Sequence, residues 1–136
     1  MMESVVDAPT AVMVERDAWN GCRFLPRDPG GHYESYFQRA NHPWRPLAFW
    51  IRYTVFCPKG RPDEAVGELW AIYFDGESNR ITASKEVVPI ESCLFSPSGL
   101  AVRIGAAELN DGNLAGRARS SAGTLQWKLR YAGTEP

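Results

Sequence analysis

An all-β antiparallel domain, an up-and-down barrel or a strongly curled sheet, is what the sequence predicts. Three observations carry this. Apolar and polar residues alternate with a period of two through several segments, the signature of strands with one covered face. Turn-forming clusters rich in Gly, Pro, Asn and Asp punctuate those segments every eight to twelve residues or so, as in a meander. No segment shows a convincing amphipathic-helix pattern. At 136 residues the chain is one domain, long enough for a real core.

The centre is a long hairpin over residues 47–75. Its first arm, residues 47–57, and its second, residues 65–75, are dominated by β-branched and aromatic side chains. Between them Pro58, Gly60 and Pro62 interrupt any ladder and favour a turn. Each arm carries one charge in its interior, Arg52 and Glu68. Both faces of the first arm are apolar, as expected where both are covered. A barrel interior covers one face, so an interface is expected on the outside of this hairpin.

The other elements follow in order. Residues 1–31 are broken by Pro9, Pro26, Pro29 and the Gly30-Gly31 pair and read as an irregular segment covering one end of the core, with a short helix or strand possible over residues 12–19. Residues 32–39 alternate as a first strand, Tyr33, Ser35 and Phe37 against Glu34, Tyr36 and Gln38. Pro43 and Pro46 stiffen the loop that follows. Residues 75–79 read as a hairpin turn, 81–88 as a more polar strand and 89–93 as a bend. A strand over 100–104 precedes the Asn110-Asp111-Gly112-Asn113 hairpin signal, then strands over 114–121 and 124–131. In the last, Leu125, Trp127, Leu129 and Tyr131 share one face. Seven or eight strands result.

Composition excludes several classes. Lys plus Arg number 15 and Asp plus Glu 16, a net charge of −1 with no global pull towards nucleic acid or anionic membrane. Arg117, Arg119, Lys128 and Arg130 read as a solvated sheet face. Cys22, Cys57 and Cys93 are odd in number and irregularly spaced, and His32 and His42 have no ligand partner at metal-site spacing, so neither a disulfide framework nor a metal is expected. No cofactor motif occurs. The N-terminal residues are too charged for a signal peptide or membrane span, and a reducing cytoplasm is the expected location.

Alternation puts Trp50, Arg52 and Thr54 on one face of the first arm and Glu68 and Trp70 on the same face of the second. A symmetric closure brings Arg52 beside Trp70 and diagonal to Glu68. That face would be aromatic walls around one ion pair, which suits a pocket where apolar walls hold a ligand and a few polar groups orient it. The same pair equally fits a purely structural role, since buried charges pair to offset desolvation. Glu34 and Tyr36 on the neighbouring strand are further candidates for this site.

The run from Gly31 through Arg39-Ala-Asn-His-Pro-Trp-Arg-Pro-Leu-Ala-Phe-Trp-Ile-Arg-Tyr-Thr, with Gly67-Glu-Leu-Trp-Ala-Ile-Tyr-Phe-Asp, resembles the N-terminal lipocalin-like domain of the superfamily containing hydroxyneurosporene synthase (a carotenoid hydratase), tocopherol cyclase-like and AttH-type proteins. The resemblance extends more weakly through Gly99-Leu-Ala-Val-Arg-Ile-Gly and Leu125-Gln-Trp-Lys-Leu-Arg-Tyr. It implies a lipocalin-like (calycin-type) barrel over residues 32–136, the front half of a tandem pair, binding a hydrophobic isoprenoid or lipid-like molecule. A second lipocalin-like domain or a homodimer partner would cover the 47–75 hairpin.

Three functions follow as expectations. The first is binding of a hydrophobic small molecule, with Glu34, Tyr36, Trp50, Arg52 and Trp70 as contacts. The second is part of a hydratase or cyclase acting on an alkene, with Glu68 as proton donor and aromatic rings steadying positive charge. The third is a structural half-domain whose aromatic faces pack on a partner. No position matches a catalytic motif of the family, and no nucleophile-elbow, P-loop or dinucleotide fingerprint occurs.

Overall fold

In the computed structural model, which describes residues 18–133, nine antiparallel strands form two sheets. Sheet A is a meander of β1 (His32–Asn41), β2 (Leu47–Cys57), β3 (Val66–Asp75) and β4 (Arg80–Pro89). Sheet B is a meander of β5 (Cys93–Phe95), β6 (Ala101–Ile104), β7 (Ala107–Asn110), β8 (Asn113–Ser120) and β9 (Gly123–Arg130). The chain passes between sheets through Pro89 and a single 3-10 turn, Ile90–Ser92. Residues 1–17, most of the expected irregular segment with part of its possible helix or strand, lie outside the described residues, as do 134–136.

The all-β antiparallel expectation holds; a closed barrel does not form among the described residues. No backbone ladder joins the two sheets among the described residues. At the β4 side they are stitched by side chains instead: the Ser84 hydroxyl donates to the Gly123 carbonyl at 3.2 Å, and Glu86 accepts from the Arg119 N–H at 2.6 Å. At the opposite side, the Cys22 N–H donates to the carbonyl of Ser96, just after β5, at 2.7 Å. Gly21 has to be glycine there, because a Cβ would lie 2.1 Å from the Pro97 carbonyl oxygen.

The core lies between the sheets. Ile51, Tyr53, Leu69 and Ala71 come from sheet A; Val102, Ile104, Ala107, Leu109, Leu114, Ala118 and Trp127 come from sheet B. These are alternate residues of each strand, so the period-two pattern is what selected them. Where β3 approaches β6, Gly67 leaves room for Cys93 Sγ and Ile104, which an added Cβ would meet at 2.5 and 3.2 Å. Sheet B gained a hairpin that the turn chemistry of residues 105–106 encodes. Gly105, at φ 58°, opens a two-residue loop between Ile104 and Ala107, a Gly-X hairpin turn.

Turns elsewhere match their residues. Asp111 and Gly112 form a two-residue loop between the paired Asn110 and Asn113, with Gly112 at φ 92°. The loop after β3 is held by Asp75, whose carboxylate accepts from the Glu77 and Ser78 N–H groups at 2.9 and 3.2 Å and from the Ser78 hydroxyl at 2.8 Å. No helix among the described residues is long and apolar enough to cross a membrane.

Candidate functional site

The expected hairpin register is present: Arg52 pairs with Trp70, and Thr54 with Glu68. The face it builds, however, is the outer face of sheet A. Ile51, Tyr53 and Val55 of β2 point into the core, so Trp50, Arg52, Thr54 and Phe56 point away from it. Arg52 does not pair with Glu68. Its guanidinium lies over both indoles, 5.1 Å from the Trp50 ring and 4.8 Å from Trp70. Glu68 pairs with Lys85 of β4 at 3.1 Å, and the Lys85 ammonium also sits 4.2 Å from the Trp70 ring. Lys85 stands directly opposite Trp70, diagonal to Glu68, and its point charge reaches the carboxylate while the planar guanidinium is held by stacking.

Glu34 and Tyr36 do not join this group. Pairing of Ser35 with Thr54 puts Tyr33, Ser35 and Phe37 on the outer face and turns His32, Glu34 and Tyr36 inward. The six candidate residues therefore divide between two sides of one sheet. The parity of the β1–β2 register decides this, and alternation within each strand leaves that parity open.

The outer face of sheet A is aromatic and open. Tyr33, Phe37, Phe56, Phe74, Ile81 and Val87 are all exposed there. Within this stack two polar atoms, Arg52 Nε and Trp70 Nε1, are buried with no hydrogen-bond partner among the described residues. The outer face of sheet B contrasts with it. Arg103, Arg117, Lys128 and Arg130 are exposed there, and Leu94 is its exposed large apolar side chain among the described residues.

A separate apolar cleft opens between the sheets, where β2 and β3 face β9. It holds about 240 Å³ and is lined by Phe49, Ile51, Ala71, Tyr73, Leu125 and Trp127 among others. Tyr73 stands at its mouth, an inward-facing tyrosine that remains 36% exposed. Leu125, Trp127 and Leu129 are the half-buried face of the last strand, so the sequence pattern already marked this wall. What the pattern lacked was the opposing wall.

A third constellation sits at the inner side of β1. Cys22 Sγ, a nitrogen of His32 and a carboxylate oxygen of Glu34 all lie within 4.8 Å of one another. His32 Nε2 and Glu34 Oε1 are 2.6 Å apart, and the same oxygen accepts from the Arg23 N–H at 2.9 Å. The Tyr36 hydroxyl lies 3.5 Å from Glu34 Oε2 and donates to the Asn20 carbonyl at 3.1 Å. Burial works against the Glu34 charge, but hydrogen bonds from His32, the Arg23 N–H and Cys22 outweigh it and hold the carboxyl below its ordinary range. Burial pushes the Cys22 thiol up, and burial likewise pushes the Tyr36 phenol up. Sequence spacing offered His32 no ligand partner; the fold supplies two. His32 and Glu34 are an i, i+2 pair on one strand face, the one local signal that was available, while Cys22 arrives through the close approach of Gly21 to Pro97 and its own N–H bond to the Ser96 carbonyl.

Comparison of the chain with family models, with curated proteins and with solved structures finds no match.

Proposed function

We propose that this chain is a lipocalin-like binding domain for a hydrophobic small molecule, isoprenoid or lipid-like, held in the cleft between its two sheets. The cleft itself carries the reading. It is walled almost entirely by apolar side chains, with the Tyr73 hydroxyl near its mouth as a polar group able to orient one end of a ligand. Its volume of about 240 Å³ falls just short of the roughly 300–1,000 Å³ of sites for drug-sized ligands, so it suits a compact molecule or one end of a longer chain. Glu68 belongs to the opposite side of sheet A, which removes it as a proton donor to anything in this cleft.

The test is titration of the purified protein with geraniol, followed by native mass spectrometry and by Trp fluorescence. One molecule per chain is expected, with binding lost in Leu125→Lys, which places a charge in the cleft wall, and retained in Trp70→Phe on the outer face. Binding that survives Leu125→Lys, or no uptake of any apolar probe, overturns the reading.

A second reading concerns the outer face of sheet A and is favoured by a specific observation. Among the described residues, six large apolar side chains are exposed on that one face, around two buried polar atoms with no hydrogen-bond partner there. The face suits a second lipocalin-like domain or a second copy of this chain, whose own apolar side chains would cover these exposed rings. Size-exclusion chromatography with light scattering distinguishes a dimer from a monomer, and Phe37→Lys is expected to dissociate a dimer formed through this face.

A further inference from the structure

We propose that Cys22, His32 and Glu34 bind one divalent transition-metal ion of the zinc type and so clasp the seam between strand β1 and the segment after β5. The placement argues for it first. His32 and Glu34 occupy consecutive inward positions of an edge strand, next to the buried Cys57 and Val55 of β2. Those positions would serve a purely structural seam best if apolar. Instead they present a nitrogen and an oxygen donor to a cysteine that is only 4% exposed.

The donor set narrows the ion. One sulfur, one imidazole and one carboxylate suit zinc, cobalt, iron or nickel, whereas calcium and magnesium take all-oxygen shells. Metal–ligand bonds of roughly 2.0–2.3 Å in a tetrahedron place ligand atoms about 3.3–3.6 Å apart. The present spacings, 2.6 Å for His32 to Glu34 and at most 4.8 Å across the trio, bracket that range. Closing on an ion therefore takes side-chain adjustment of about an ångström: the His32–Glu34 contact opens as the thiol approaches. The thiol proton leaves to solvent, and His32 binds as neutral imidazole through Nε2.

The surroundings are those of a supported site. The Arg23 N–H and the Tyr36 hydroxyl lie against the two oxygens of Glu34 and orient it. Phe24 packs on the His32 ring at 5.8 Å and limits solvent there. Three protein ligands leave a fourth position for water. Cys22 is anchored by its own N–H to Ser96, so the ion would fasten β1 to the β5 edge of the other sheet.

Titration of the metal-free protein with Co²⁺ tests this, because cobalt bound to a thiolate shows a near-ultraviolet charge-transfer band that nitrogen and oxygen ligands do not give. One equivalent of Co²⁺ is expected to develop the band, and Zn²⁺ to displace it and raise Tm. Cys22→Ser is expected to abolish the band and the Tm rise, while Cys93→Ser keeps both. Should Cys22→Ser fail to fold, His32→Gln is read instead, with Co²⁺ affinity expected to fall by at least about tenfold, since even supporting partners are worth that much. No band in the wild-type protein, a band that persists in Cys22→Ser, or full affinity in His32→Gln leaves the trio a hydrogen-bonded seam and overturns the proposal.

Discussion

The Trp127 indole N–H donates to the Tyr53 hydroxyl at 3.0 Å, and that hydroxyl donates onward to the Glu108 carbonyl at 2.8 Å. This relay crosses from β9 to β2 and back to β7, so it ties the two sheets through a tyrosine with no exposed surface. The rings meet edge to face at 6.4 Å. Burial pushes the phenol up from its ordinary range and keeps the proton on the oxygen that must donate it.

Tyr53→Phe is expected to destabilise the domain by about 1–3 kcal/mol. It leaves a buried carbonyl and a buried indole N–H without their partner while changing volume little. Urea unfolding followed by circular dichroism measures it. A loss below half a kilocalorie would mean that water replaces the hydroxyl.

Gly116→Ala should destabilise by about 1–3 kcal/mol through overpacking. A Cβ at position 116 would lie 2.6 Å from Ala107 Cβ and 2.8 Å from Trp127 Cζ2, where neither a methyl fixed directly to its backbone nor a packed indole gives way cheaply. The midpoint of thermal unfolding should fall by several degrees. A paired loss of geraniol uptake is also expected, because Trp127 walls the cleft.

Glu68→Gln separates the binding reading from an enzymatic one. Its ion pair with Lys85 is partly solvated, so the stability loss should be about 0.2–1 kcal/mol, and ligand uptake in the cleft should be unchanged. Loss of ligand binding or turnover in Glu68→Gln would put the functional face on the outer side of sheet A and contradict the cleft.

The turn at Asp75 makes a pH prediction. Hydrogen bonds from Ser78, first its hydroxyl and then its N–H, hold the Asp75 carboxyl below its ordinary value of 3.8. A depressed folded-state value means that the contribution is fully present above the unfolded value and is lost as pH falls through the folded one. The turn should therefore stay intact through pH 3.8 and loosen only below it, read as the Asp75 carboxyl shift in an NMR titration. Asp75→Asn should remove the low-pH step. A midpoint at or above 3.8 in the wild-type protein would contradict these bonds.

Alternation and turn chemistry made most of the strands legible. The 47–57 strand, the loop over 76–79, the Asp111-Gly112 hairpin and the Leu125, Trp127, Leu129 face appear where the residues place them. The short β7 escaped because four residues give too little alternation to register, and its Gly105-Ala106 turn resembles ordinary loop sequence. The site was less legible. Arg52 and Trp70 are neighbours as the register requires, but an arginine between two indoles satisfies itself by stacking, and Lys85 from the next strand took the glutamate.

By itself, then, the sequence determined which residues share a strand face and where the chain turns, because both follow from local backbone geometry. Tertiary structure alone decided which face is inside, how β1 aligns on β2, and that Cys22 meets His32 and Glu34. Those depend on which of two equally patterned faces finds a second sheet to cover it, and on a close contact between Gly21 and Pro97, 76 residues apart in the numbering.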